Sequence, residues 1–318
     1  MAILETPAGF ELNSAAVAAR YAEFFRERLA PYQPETVVVP ARKKGTPFSP
    51  DDPAICAPLL RATSIYLGAG SPTYTVRQLR ASYAWRALLV RHRQGVPLCF
   101  ESAATLAVSR FTIPVYEIYK VGEDPHWKEG LDLLGSYGLT ITFVPHWNNT
   151  DGGAALDTSR CYIGQPRFAQ MLALLPAEST VVGIDDHTAL VVQPARALAQ
   201  VMGLGTVTVL HQGREHIYPA GATIPLAALG EFRLPADLRE GVDPEIWEAA
   251  LTAQATPEPP PRPPEEVLRL VAERAAARAR RDWATADQLR SEITRLGWWV
   301  DDTPTGPSLR RLEAGAAR

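Results

Sequence analysis

Ser102, His146 and the run Gly68-Ala69-Gly70-Ser71 are the residues of this chain whose types and surroundings could do covalent chemistry. Ser102 follows the apolar stretch Leu98-Cys99-Phe100 and precedes Ala103-Ala104-Thr105-Leu106-Ala107, mostly good helix formers. This reads as a short buried strand turning sharply into a helix, with a hydroxyl at the corner. Backbone N–H groups are unpaired at a helix start and the dipole there is positive, so a serine oxygen at the corner has an oxyanion site beside it. The same position suits a serine that only caps the helix, so its partners must decide. His146 follows the strand Leu139-Thr140-Ile141-Thr142-Phe143-Val144 and lies 44 positions after Ser102. Acyl transfer needs a nucleophile, a base within hydrogen-bond reach and oxyanion donors. Ser102, His146 and the Gly68–Ser71 backbone are the candidates for these parts. A carboxylate that orients the base is usual; Glu117 is the first candidate, with Glu101 and Glu123 behind it.

The elements that must position these residues follow from the pattern of apolar runs. Ala2-Ile3-Leu4, Thr36-Val37-Val38-Val39, Ile65-Tyr66-Leu67 and Leu98-Cys99-Phe100 read as short buried strands. A helix from Asn13 or Ser14 to about Leu29, with Val17, Tyr21, Phe24, Phe25 and Leu29 on one face, separates the first two. A long helix is expected from about Thr75 to Arg93. This alternation predicts an α/β domain with a mostly parallel sheet covered by helices on both faces. In such sheets sites lie beyond the carboxyl ends of the strands, where Gly68–Ser71 and Ser102 both fall. Further on, Val181-Val182-Gly183-Ile184-Asp185 and Ala189-Leu190-Val191-Val192 read as one hairpin. Val207–Leu210 and His216–Tyr218 read as a second. The core domain is expected over 1–233, a helical extension over 234–254, a proline-rich linker over 255–264 and a separate small unit over 265–318. In that unit Asp282 caps a helix ending at Gly297, and Trp298-Trp299-Val300 and Leu309–Leu312 flank a turn at Thr305-Gly306.

Residues from about Ile3 to Val192 resemble the serine peptidase family of cyanophycinase and α-aspartyl dipeptidase. The pieces that carry the likeness are Ile65-Tyr66-Leu67-Gly68-Ala69-Gly70, Leu98-Cys99-Phe100-Glu101-Ser102-Ala103-Ala104, Val144-Pro145-His146, and Gly183-Ile184-Asp185-Asp186-His187-Thr188-Ala189-Leu190. The resemblance implies a flavodoxin-like sheet of the class I glutamine amidotransferase kind, Ser102 as nucleophile and His146 as base. It implies oxyanion donors from the N–H groups of Ala103 and the Gly70 turn, and peptide-like substrates with aspartyl bonds. Arg160 and Arg167 are the candidates for a substrate carboxylate. Three departures stand out: Phe100 and Ala104 replace the two glycines of the family's Gly-x-Ser-Ala-Gly elbow, and Ser71 replaces an Asn or Asp. Phe100 is therefore expected to bear on whether the pocket is open. The family also has a strand and a glycine-containing loop before the position of Ile3, so either the start is truncated or the sheet lacks a strand.

The tail carries a second likeness. Ala272–Arg278, Asp282–Arg290 and Leu296–Gly306 strongly resemble the end of cysteinyl-tRNA synthetase, where the region belongs to the anticodon-side, tRNA-binding part. Arg274, Arg278 and Arg281 fall on one helix face, and Arg290, Arg310 and Arg311 add charge. Trp298 and Trp299 offer stacking surfaces, a combination that suits RNA backbone and unstacked bases. The competing reading is a helical hairpin with a solvated arginine face and core tryptophans: residues 265–318 hold ten arginines against nine carboxylates. Aminoacylation itself has no support, since there is no His-x-Gly-His stretch, no Lys-Met-Ser-Lys-Ser loop and no zinc cysteine set.

Composition narrows the remaining classes. A formal net charge of −3 provides no general attraction to nucleic acid or anionic membrane. Cys56, Cys99 and Cys161 are odd in number and far apart, which predicts a reducing compartment, no disulfide frame and a cytoplasmic protein. Cys99, inside a strand, is expected in the core, and His187 exposed at a turn. His92, His126, His211 and His216 have no ligand spacing, so neither metal nor cofactor is expected. No signal peptide is expected, no apolar run is long enough to span a membrane, and Asn148-Asn149-Thr150 is an accidental sequon. The expected partners are a small peptide-like substrate and tRNA or another RNA through residues 265–318; a homodimer is left open.

Overall fold

The computed structural model describes residues 1–255, 263–303 and 306–311. The chain divides into two compact units, Met1–Gln254 and Ala255–Arg318. Most of the proline-rich linker, the Thr305 turn position and Leu312 lie outside the described residues.

The first unit opens as an α/β alternation: β1 (Ala2–Leu4), α1 (Ser14–Arg28), β2 (Val37–Val39), α2 (Pro53–Cys56), β3 (Ile65–Leu67), α3 (Pro72–Leu79), α4 (Tyr83–Arg93), β4 (Leu98–Phe100) and α5 (Ala103–Ala107). The four strands form a parallel sheet in the order β2-β1-β3-β4. The expected long helix over 75–93 is two helices. Ala81 has φ 57°, which ends the first, and the Ser82 hydroxyl caps the second by accepting the Trp85 N–H at 3.1 Å. Because β3 and β4 run in register, Leu67 opposite Phe100, the Gly68–Ser71 loop and Ser102 leave neighbouring strands at the same end. The Glu101 N–H donates to the Leu67 carbonyl at 3.0 Å and extends that register by one residue. β4 is an edge strand and Cys99 is exposed on it, not buried as expected.

The chain continues through β5 (Phe111–Thr112), β6 (Lys128–Glu129), β7 (Ile141–Val144), α6 (Gln165–Leu172), β8 (Thr180–Ile184), β9 (Thr188–Gln193), β10 (Leu198–Gly203), β11 (Thr206–His211), β12 (Arg214–Pro219), β13 (Thr223–Pro225) and α7 (Pro244–Ala255). A second four-stranded sheet has the order β12-β11-β8-β7, with β7 and β8 parallel and Val144 opposite Gly183. His146 and Asp186 therefore also leave adjacent strands at a common end. The hairpin expected between 181–185 and 189–192 does not form. Asp185 ties the end of β8 to β11 through the Thr206 N–H and hydroxyl, both at 2.8 Å, while β9 pairs with β10 in a third sheet. The second expected hairpin is β11–β12. The helical extension expected over 234–254 is confined to α7, whose Ile246, Trp247 and Ala250 are buried in the main core with Leu59, Leu67, Leu88 and Val182.

The second unit holds α8 (Glu265–Ala279), α9 (Trp283–Arg295) and an antiparallel pair, β14 (Trp298–Thr303) and β15 (Gly306–Arg311). Asp282 caps α9, and Val267, Leu270, Ile293, Trp298 and Val300 form its core.

Candidate active site

The backbone at Ser102 is the first mark of a site. Its φ of 49° and ψ of −110° lie in a region that costs a non-glycine residue about 1–3 kcal/mol. The corner persists because it is tied down on both sides. Ala104 N–H donates to the Glu101 carbonyl at 2.9 Å, Leu106 N–H to the Ser102 carbonyl at 3.1 Å, and the Thr105 hydroxyl to the Phe100 carbonyl at 2.9 Å. Ala104 is buried and Phe100 packs against the main core, so neither replacement at the elbow covers the serine, which stays half-exposed.

Ser102 Oγ lies 2.9 Å from His146 Nε2, and His146 Nδ1 lies 2.7 Å from Asp186 Oδ1. With the imidazole proton on Nδ1, the hydroxyl donates to Nε2 and Nδ1–H donates to the carboxylate; the tautomer is assigned from these contacts. Local folding explains why three residues so far apart meet. β7 and β8 deliver His146 and Asp186 side by side, and the Trp147 N–H donates to the Ile184 carbonyl at 3.1 Å. Gly183 makes room for that approach: a Cβ there would sit 2.2 Å from the Trp147 ring. The Asp186 N–H donates to Asn148 Oδ1 at 2.8 Å, and Asn149 Nδ2 reaches Asp186 Oδ2 at 3.5 Å.

Glu117, the carboxylate expected on the histidine, is not there. It starts a π-helical turn and faces Lys128 at 3.4 Å. Glu101 is hydrogen-bonded to the Tyr66 hydroxyl, and Glu123 faces His126 at 3.6 Å. Asp186 holds the position instead. Its signal was present in Gly183–Leu190, a stretch that also reads as a hairpin turn and so hides the carboxylate that meets His146.

The Gly70 backbone, at φ 152°, is pressed against Pro7, in a short 3₁₀ turn over Thr6–Ala8, where a Cβ would lie 1.9 Å from the Pro7 carbonyl oxygen. Only glycine permits this approach, and the Ser71 N–H to Pro7 carbonyl bond at 3.0 Å fixes the loop at the rim. Ala103 is in the first turn of α5, where helix geometry provides no acceptor for its N–H.

Around the histidine, the Tyr162 ring lies 6.0 Å away and its hydroxyl donates to Asp151 Oδ2 at 2.8 Å. Burial, then that carboxylate, push the phenol up to about 12. Hydrogen bonds from Asn149 and Tyr162 hold Asp151 below the usual carboxylate range. Of the two arginines expected to hold a substrate carboxylate, Arg160 donates to the Trp147 carbonyl at 2.8 Å and stacks 3.8 Å above that ring. Burial pulls its pKa down. Arg167 is half-buried on α6, with no polar contact among the described residues. No cluster of histidine, cysteine and carboxylate groups suited to a metal occurs among the described residues, and none of their helices is long and apolar enough to cross a membrane.

In the second unit the expected arginine face is largely spent on structure. Arg274 is buried and forms a two-pronged pair with Asp302 at 2.8 and 2.9 Å; Arg278 joins the same carboxylate at 3.1 Å. The hydrogen bond from Arg274 holds Asp302 below the ordinary carboxylate range. Trp298 is core. Arg281 is exposed, and Trp299 is half-exposed with Arg290 4.6 Å above its ring. The side chains of Arg310 and Arg311 lie outside the described residues.

Comparison with known proteins separates the two units. A solved peptidase from an acI-B1 Actinobacterium superposes with a TM-score of 0.56 at 22% identity, covering 71% of this chain and 82% of that one. The first unit thus has a fold known from peptidases. Residues 261–307 match the family model described as the cysteinyl-tRNA ligase anticodon binding domain. Among curated relatives, the cysteine–tRNA ligase of Methanosarcina acetivorans is 50% identical over 50 residues, 16% of this chain and 11% of that protein. The cysteine–tRNA ligase of Rubrobacter xylanophilus is 54% identical over 48 residues, 15% of this chain and 10% of that protein. The chain therefore spans about a tenth of the length of these curated relatives.

Proposed function

We propose that the first unit is a serine hydrolase of the peptidase kind, with Ser102 as nucleophile, His146 as base and Asp186 as the group that orients and stabilises the imidazolium. The observation that carries this reading is the continuous run Ser102 Oγ–His146 Nε2 at 2.9 Å and His146 Nδ1–Asp186 Oδ1 at 2.7 Å, starting from a strained corner. In the reaction Oγ attacks the substrate carbonyl carbon while its proton passes to Nε2. The Ala103 and Gly70 N–H groups receive the negative charge on the carbonyl oxygen. Nε2–H then protonates the leaving amine as the C–N bond breaks and an ester to Ser102 remains. Water, deprotonated by His146, attacks that ester, and the proton returns to Oγ as the acid is released. For substrates of the acidic or aspartyl peptide class the candidate cations are Arg167 and the guanidinium nitrogens that Arg160 does not commit to Trp147.

A fluorophosphonate probe should label the native chain and leave folded Ser102→Ala unlabelled. No labelling of native, folded protein defeats the hydrolase reading.

A second function rests on the match of residues 261–307 to an anticodon-binding model. The tail then contacts RNA through Arg281 and Trp299, with or without catalysis in the first unit. tRNA binding by the full chain should weaken steeply with salt and vanish on deletion after Pro264. Binding that survives the deletion removes this function.

A further inference from the structure

The last turn of α4 places a cation where the fold provides no counter-charge. Arg93 is 7% exposed, and its Nη1 has no hydrogen-bond partner. Its guanidinium lies 4.8 Å over the Tyr137 ring, and among the described residues no carboxylate pairs with it. Arginine stays charged in proteins, so this is a buried, unneutralised cation, an arrangement that costs several kcal/mol unless something answers it. The α4 carbonyl ends offer a diffuse partial charge, shared with Arg91 and His92, and no acceptor to Nη1.

Arg93 lines a cavity of about 80 Å³. A single water needs about 10–15 Å³ on this measure, so the space takes several waters or one compact anion. His92 and Ser136 share the wall. The Tyr137 hydroxyl is 2.9 Å from His92 Nε2, and burial, then Arg93, pull the imidazole down to about 4, so it is neutral at pH 7; with the hydroxyl donating to Nε2, the ring proton is assigned to Nδ1. One carboxylate, Asp132, also lines the cavity. It folds back over Gly135, whose Cβ would lie 2.4 Å from Asp132 Oδ2, and faces Arg110 at 3.9 Å. The wall thus combines a forked cation with neutral donor-bearing side chains, and its acidic group is engaged elsewhere.

We propose that this cavity binds a small oxyanion of the carboxylate or phosphate class, held by the Arg93 fork. The site is remote from Ser102. α4 leads into the start of β4, with the Val96 N–H on the Arg91 carbonyl at 3.0 Å, whereas Ser102 follows the end of that strand. The inference therefore stands whether or not the first unit is a hydrolase.

The test is titration calorimetry and thermal melting of the full chain with inorganic phosphate and, separately, acetate, against chloride at matched ionic strength. Saturable binding and a raised melting temperature are expected with at least one of the two. Arg93→Met should weaken that binding at least tenfold, and Arg93→Lys should weaken it less. A cooperative melt of each variant shows that it folds; should Arg93→Met not fold, Arg93→Lys alone carries the comparison. A response to phosphate alone assigns the site to phosphate-class ligands, and a response to acetate alone assigns it to carboxylates. No saturable response to either anion, or the same response in the folded variants, overturns the proposal.

Discussion

Two clusters join residues remote along the chain, and they use polarity in opposite ways. In the first unit Ser102, His146 and Asp186 form a half-exposed line that begins on a strained backbone and ends with a carboxylate oxygen still reaching towards Asn149. In the second, Arg274, Arg278 and Asp302 form a closed knot in which one carboxylate receives two arginines, and the first of them is buried with both Nη groups bonded and only its Nε left without a partner. A cluster poised for chemistry keeps a reactive atom exposed and stores strain; a structural one turns its charged ends on each other. Residue type alone does not separate them, because arginines on a helix face look available until the carboxylate across from them is known.

The largest effects should come from breaking the first cluster. Ser102→Gly should abolish hydrolysis, a fall of about 10⁶ in kcat by analogy with nucleophile removal in other serine enzymes, while raising stability by about 1 kcal/mol as the positive φ is relieved. Activity measured beside chemical denaturation tests both halves; a variant no more stable than native shows that the corner holds no strain. Asp186→Asn should cost about 10⁴ in kcat through the wrong imidazole tautomer, whereas Glu117→Gln should change it less than twofold. Equal losses in the two variants would return the orienting role to Glu117.

The second cluster breaks as a stability effect. Asp302→Ala leaves the Arg274 charge buried and unanswered, which costs 3–5 kcal/mol in fully buried pairs; with Asp302 side chain 43% exposed, about 2 kcal/mol is expected. Arg274→Met should cost less, since Arg278 still neutralises the carboxylate. Because the folded pKa of Asp302 is depressed, its contribution is complete above the unfolded value of about 3.9 and is lost as pH falls through the folded value. Melting of the second unit followed from pH 6 down to about pH 2 should therefore drop below about pH 4. Asp302→Asn should remove most of that drop, leaving the part due to Asp282, whose cap to Thr285 also holds it low. A pH profile unchanged by Asp302→Asn breaks the contrast between the clusters.

How much of this was legible beforehand depends on range. The strand–turn–helix at Leu98–Ala107 and the strand before His146 were readable because hydrophobic runs and helix formers act locally. The meeting of Ser102 with His146 is expected from the rule that parallel strands deliver their loops to one end, but β4 and β7 lie in separate sheets. What joins them is the segment after α5, whose Arg110 N–H donates to the Ile141 carbonyl and whose Ser109 hydroxyl accepts the Phe143 N–H, both at 2.8 Å. Asp186 was hidden for a different reason. Its two flanking apolar runs fit a hairpin equally well, and only the Asp185–Thr206 bonds, made to a residue 21 positions away, send β9 elsewhere. The break at Ala81 was missed because 75–93 is continuously helix-forming in composition and a serine cap in its middle is a weak signal. Cys99 was misplaced because an apolar strand is equally consistent with a central and an edge position. In the tail, burial of Arg274 is written at Asp302, 28 positions on, beyond any helical periodicity.

The smallest effect sharpens the contrast within the tail itself. Arg281 is exposed at the end of α8, outside the Asp302 knot, so it has a charge to give to a phosphate. Arg281→Gln should change folding by less than about 0.5 kcal/mol, yet lower the slope of log K for tRNA against log salt by about 1. Arg274→Gln should do the reverse: it lowers the melting temperature and, at temperatures where the unit stays folded, leaves the slope as it was. Both nitrogens of that fork already face a carboxylate, so no counterion is released from it on binding. Salt titrations of the two variants side by side decide the matter. If Arg281→Gln leaves the slope intact and Arg274→Gln flattens it, the buried arginine must leave its partner to meet RNA, and the division drawn between a reactive cluster and a structural one fails in this unit.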